Sequence, residues 1–154
     1  MPEPAEQLAR IATDYLSLDS LFSADELALR GHVRAFVDAR IRPNINGWYE
    51  AAHFPLGLAR EMGALGVLGM HLDGYGCAGR SAVEYGLAMM ELEAGDSGLR
   101  TFASVQGSLA MSAIHKFGSE AQKEQWLPGM AEGALIRLKC GERCFEAYRA
   151  HLWG

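Results

Sequence analysis

The chain has 154 residues, 49% hydrophobic and 21% charged, a composition that supplies a core and argues against disorder. Its 14 Lys and Arg against 19 Asp and Glu leave a net charge of −5 with histidine neutral, and no basic run offers a footprint for nucleic acid or an anionic membrane surface. At this length one domain is expected, burying roughly 70% of the surface its unfolded chain exposes.

The longest strongly apolar stretch, Met62 to Met70, holds three glycines and falls far short of the ~20 residues that span a bilayer. The acidic opening Met1-Pro2-Glu3-Pro4-Ala5-Glu6 lacks an apolar h-region, which points to a cytoplasmic protein. Cys77, Cys140 and Cys144 make an odd count and read as free thiols. Cys140 and Cys144 with His151 lack a fourth ligand and a usual zinc spacing, so no metal site is assigned.

In chain order, Ser23-Ala24-Asp25-Glu26 is a capping box, and Leu29, Val33, Phe36, Val37 and Ile41 then recur on one helical face until Pro43 ends the helix. A shorter helix is predicted from Pro55, which suits the first helical position, to Gly63–Gly66, with Leu58, Met62 and Leu65 as its buried stripe. His71 to Gly79 reads as a glycine-rich loop. A second capping box, Ser81-Ala82-Val83-Glu84, opens a helix whose predicted buried face is Val83, Leu87, Met90 and Ala94, interrupted at Gly95-Asp96-Ser97-Gly98. Leu99 to Phe117 is rich in small residues and reads as a central buried helix, and Ser119-Glu120-Ala121-Gln122 is a third box. Alternating β-branched runs are absent. The fold class is therefore all-α, a helical bundle of five or six helices.

Motifs for phosphate, zinc-hydrolase, serine-hydrolase and dinucleotide chemistry are absent, and the five histidines do not cluster. Gly74-Tyr75-Gly76-Cys77-Ala78-Gly79 could cradle an anion with backbone amides, but with no strand before it and no lysine within it a connector is favoured. Arg100 stands out, because it begins an otherwise small, apolar helix on which a cation needs a partner or a ligand. A guanidinium fork matches a carboxylate bidentately, Glu93 is close enough in sequence to orient it, and Thr101 and Ser104 are expected to add hydroxyls on the same side, one residue and about one helical turn further on. From composition alone a solvent-exposed Arg–Glu pair at a helix start is the favoured reading.

These residues also carry a family resemblance. Met62-Gly63-Ala64-Leu65-Gly66-Val67-Leu68-Gly69, Gly74 to Gly79, Asp96-Ser97-Gly98-Leu99-Arg100, Ser104-Val105-Gln106 and Trp126-Leu127-Pro128 together resemble the N-terminal helical domain of acyl-CoA dehydrogenases, within them the glutaryl-CoA dehydrogenase branch. The resemblance spans roughly Asp14 to Ile136. It implies a flavoenzyme that removes the α-proton of glutaryl-CoA, passes the β-hydride to FAD and decarboxylates the product to crotonyl-CoA, with electron-transfer flavoprotein as the acceptor.

By that resemblance Arg100 grips the distal carboxylate, Glu93 positions it, and Ser104 is a pocket serine, while Thr101 stands where the family usually has serine. From residue 137 the pattern departs: the family continues into a β-barrel opening on a strand of the type CFGLTEP, and here Arg137-Leu138-Lys139-Cys140 follows. The chain thus divides into a family-like helical domain, residues 1–136, and a divergent tail, residues 137–154. The barrel and the C-terminal domain that supplies the catalytic glutamate are not recognisable in it. No catalytic residue is therefore assigned, flavin-binding residues stay unassigned, and the isolated chain is expected to be inactive and to hold no FAD. The alternative is a non-catalytic helical module that uses the same surface to bind a partner protein, and flavin content separates the two.

Overall fold

The structure, a computed structural model, describes residues 16–136. Among the described residues there is no strand, and a short 3₁₀ turn, Leu18–Leu21, is followed by seven α-helices. The tail and the terminal Cys140, Cys144 and His151 lie outside the described residues.

The first helix, α1 (Ala24–Phe36), starts at the predicted box: Ser23 Oγ accepts the Glu26 N–H at 3.3 Å and the Glu26 carboxylate accepts the Ser23 N–H at 2.7 Å. It runs on as a π-helical turn, Val37–Ile41, in which Arg42 N–H reaches back to the Val37 carbonyl. Pro43 has no N–H for the Ala39 carbonyl, so the α-pattern has no continuation there and the helix loosens before it ends. Val33, Val37 and Ile41 are fully buried, with Leu29 and Phe36 packed against them, which is the face that periodicity predicts.

A short helix not evident from the sequence, α2 (Ile45–Glu50), follows, then α3 (Gly57–Ala64). Leu58 and Met62 are buried and Leu65 partly so, as expected. Pro55 lies outside the helix rather than at its first position: Leu56 is the N-cap and the Pro55 carbonyl accepts Leu58 N–H in the lead-in turn. Gly66, at φ +76°, turns the chain out of the helix.

The second box opens α4 (Ala82–Gly95), where Ser81 and Glu84 exchange the two capping bonds. Its buried face is not the predicted one. Leu87 is buried as expected, but Val83 is 45% and Met90 62% exposed and Ala94 is exposed, while Ala88, Met89, Glu91 and Leu92 face inward. The reason is that α4 carries apolar residues around most of its circumference, so spacing alone does not choose the side that meets α1 and the next helix. Arg34 of α1 forms a forked ion pair with the buried Glu91 of α4, Nε to Oε2 at 2.8 Å with a second contact from Nη2.

The stretch read as one central helix is continuous but of mixed pitch: α5 (Ser97–Ser104), a π segment (Val105–Met111) and α6 (Ser112–Phe117). It starts two residues earlier than predicted and buries one side, through Leu99, Phe102, Ala103, Gln106, Gly107 and Met111, while α6 buries no residue fully. The third box, with Gln122 in the reciprocal position, opens α7 (Glu120–Ala131).

Glycines allow the backbones to touch where α3 meets the end of α7. A Cβ on Gly63 would sit 2.3 Å from the Glu132 carbonyl carbon, and one on Gly133 would sit 2.0 Å from the Ala59 carbonyl oxygen. Gly133 is also at φ +68°, where a side chain is strained. Gly133→Ala should therefore lower unfolding free energy by about 2 kcal/mol or more, whereas Gly31→Ala, on the exposed face of α1 with nothing within 4 Å, should raise it by about 0.5–1 kcal/mol. Urea unfolding of both variants checks the opposite signs.

Candidate functional site

The site is built by a one-residue turn. Asp96 ends α4 and caps α5 in extended backbone, φ −165° and ψ 128°; its N–H donates to the Leu92 carbonyl at 2.9 Å and its carboxylate accepts Leu99 N–H at 2.7 Å. Gly98 leaves room for that carboxylate, since a Cβ there would lie 2.9 Å from Asp96 Oδ1. The two helices then lie side by side. Tyr85, Met89 and Glu93, spaced by four on α4, face Arg100, Ser104 and Ser108 on α5 and the π segment.

Arg100 Nε donates to Glu93 Oε2 at 2.5 Å, with side chains 39% and 47% exposed. The Glu93 carboxylate, first by its hydrogen bond and then by its charge, holds the Arg100 pKa above its ordinary value. Among the described residues no partner is recorded for the two Nη atoms of Arg100, so the outer edge of the fork is open. An exposed pair of this kind contributes little to stability, because water screens it. Its geometry instead presents an oriented cationic fork.

Beside it Tyr85 Oη lies 2.9 Å from Ser108 Oγ and 3.4 Å from Ser104 Oγ, and the Ser104 hydroxyl donates to the Met89 thioether at 3.9 Å. Ser104 thus shares the strip with Arg100. Thr101 faces elsewhere: with Phe54, Leu56, Gly98, Phe102, Val105 and Ile136 it lines an apolar cavity of about 400 Å³. That cavity is suited to an alkyl chain or one face of a flat ring. It offers one side-chain hydroxyl and no charged group, so these residues do not fit a whole flavin dinucleotide.

The glycine-rich loop behaves as a connector. Gly74, Tyr75, Gly76 and Gly79 all have positive φ, but the Cys77 and Gly79 amides are spent on the Gly74 and Leu72 carbonyls. His71 at its entry was not singled out by the sequence, yet it packs edge-on against the Tyr85 ring, centroids 5.2 Å apart. Ser112 Oγ gives its proton to the Gly107 carbonyl at 3.1 Å, so His71 Nε2 is the donor in its 3.0 Å contact with Ser112. His71 Nδ1 is then a bare, buried lone pair with no partner. Burial, with a smaller contribution from His115, pushes the His71 pKa below its usual value. Among the described residues no cluster of His, Cys, Asp or Glu could hold a metal, and no helix is long and apolar enough to cross a membrane.

Residues 23–134 match acyl-CoA dehydrogenase, N-terminal domain. Two crystal structures of glutaryl-CoA dehydrogenase from Mycobacterium smegmatis are 59% identical to the chain. The one in complex with FADH2 has a TM-score of 0.77 and covers 79% of this chain and 31% of that protein; the other has a TM-score of 0.79 and covers 81% and 33%. The mitochondrial short-chain specific acyl-CoA dehydrogenase of Rattus norvegicus is 31% identical over 132 residues, 81% of this chain and 32% of that protein. The chain therefore spans about a third of the length of these relatives.

Because folding holds His71 neutral and its folded pKa lies below the unfolded one, the unfolded state takes up the extra proton. Stability should thus be unaffected by His71 well above pH ~6.5 and should fall as the pH drops through that unfolded value. Urea unfolding at pH 7.5 and about pH 5.5 should show a smaller acid loss for His71→Gln than for the parent chain.

Proposed function

The chain belongs to the acyl-CoA dehydrogenase family through its N-terminal domain, and on that premise we propose that it forms the helical third of a glutaryl-CoA dehydrogenase-like flavoenzyme. In this reading the strip between α4 and α5 binds the distal carboxylate of glutaryl-CoA. The observation that carries it is the Arg100 fork: Glu93 holds it through Nε, and among the described residues neither Nη atom has a partner. A carboxylate takes two parallel N–H···O bonds from that edge.

The pair acts as an address and an orienting clamp. Anchoring the far end of a five-carbon diacyl chain fixes where its α and β carbons lie, which is the positional part of catalysis. An uncharged acyl chain would set an apolar tail against the guanidinium and leave a cation without its anion. When bound, FAD would supply the hydride acceptor; no residue of this chain is assigned to it or to the base that takes the α-proton. Electron-transfer flavoprotein as acceptor belongs to the same proposal.

Two measurements test it. The purified 154-residue chain is expected to show no visible flavin absorbance and no glutaryl-CoA-dependent dye reduction, and stoichiometric bound flavin would overturn the assignment of flavin binding to other parts of the protein. Joining residues 1–136 to the remaining domains of the Mycobacterium smegmatis enzyme gives the second test. There Arg100→Met should weaken glutaryl-CoA binding about 10- to 100-fold, the loss of a charge-assisted bidentate contact, and leave butyryl-CoA unaffected. Equal losses for both substrates would make Arg100 a structural ion pair.

A further inference from the structure

The hydroxyls of Tyr85, Ser104 and Ser108 form a small network in which one of the three protons rests on a weak acceptor. Tyr85 Oη contacts Ser108 at 2.9 Å and Ser104 at 3.4 Å, so two oxygen–oxygen contacts serve three hydroxyl protons. The remaining proton, on Ser104, rests on the Met89 sulfur at 3.9 Å, a weak acceptor. A better acceptor placed against the strip would draw it away at little cost. Ser104 is one helical turn from Arg100, on the same side of α5, so an anion on the open edge of the guanidinium comes within its reach.

We propose that Tyr85 is a positioning residue of this carboxylate site: its hydroxyl occupies Ser108 and the back of Ser104, so that the Ser104 O–H turns from the Met89 sulfur to the carboxylate held by Arg100. This rests on the reading that the strip takes a carboxylate. Ser104 is then the contacting donor and Tyr85 acts through it. The aromatic ring is held from its other side by His71, edge-on at 5.2 Å, which fixes where the phenol oxygen lies. The ligand chemistry is a flexible dicarboxylate monoester, of which free glutarate is the simplest probe.

The experiment is a glutarate titration of the 154-residue chain followed by NMR, reading the Arg100 Nε–Hε resonance and the Ser104 amide. The parent chain should bind with an affinity in the millimolar range and Arg100→Met should abolish the shifts. No shift in the parent, or full shifts in Arg100→Met, overturns the carboxylate reading and this proposal with it. With that reading upheld, Tyr85→Phe should weaken glutarate roughly 3- to 10-fold, the worth of one neutral hydrogen bond, while leaving the unliganded Arg100 resonance where it was. Ser104→Ala should lose a similar factor, and the double variant should be no worse than Ser104→Ala alone, since Tyr85 works through that serine. Unchanged affinity in Tyr85→Phe, additive losses in the double variant, or a displaced Arg100 resonance in the unliganded Phe variant would each overturn the role of Tyr85 and leave the Arg100 site standing.

Discussion

Everything that makes the Arg100 strip depends on the single extended residue at Asp96. Two helices joined by one residue have almost no freedom in how they meet, and this junction satisfies both ends at once, with Asp96 donating to Leu92 and accepting from Leu99. Glu93 sits three residues before the turn and Arg100 four after it, so the reversal brings acid and guanidinium to the same edge without any contribution from distant chain. A longer or looser connection would let the pair separate, and the fork would lose its fixed direction.

The rest of the bundle holds that hairpin in place. On the side away from the strip, Glu91 is buried and receives the Arg34 fork from α1, while Gly95 lies where a Cβ would meet Val37 at 2.6 Å. A buried carboxylate is costly unless it is paired, so the contact specifies which face of α4 meets α1 even where its net contribution to stability is small. Further along, Gly107 of the π segment approaches the Gly69 backbone, 2.7 Å from the position of a Cβ to the Gly69 nitrogen. That approach draws the loop that carries His71 toward the hairpin, and His71 in turn backs Tyr85.

Two of the arginine–glutamate pairs, Arg34–Glu91 and Arg100–Glu93, differ in how deeply their carboxylates lie. Arg34 meets the buried Glu91 through Nε and Nη2, one nitrogen to each carboxylate oxygen. Arg100 meets Glu93 through Nε at a surface edge. The first pair builds the fold. The second lies at the surface, its carboxylate exposed and hydroxyls of Ser104 and Tyr85 nearby.

Local signals in the sequence determined the starts of three helices, α1, α4 and α7. Three capping boxes, at Ser23, Ser81 and Ser119, are present with both reciprocal bonds, because their partners lie three residues apart and need no tertiary help. The apolar face of α1 was equally legible, since its polar residues mark the other side. The pairing of Arg100 with Glu93 also followed from proximity across a break. Tertiary structure decided the rest. The inward side of α4, left ambiguous by apolar residues on several faces, was chosen by the Arg34–Glu91 contact across fifty-seven positions of sequence. Thr101 and Ser104, three residues apart and both hydroxylic, were parted by the rotation of α5, one toward the apolar cavity and the other toward Tyr85. Tyr85 itself bore no local mark, because its meaning comes from two serines nineteen and twenty-three residues away that only the Asp96 turn brings to its hydroxyl.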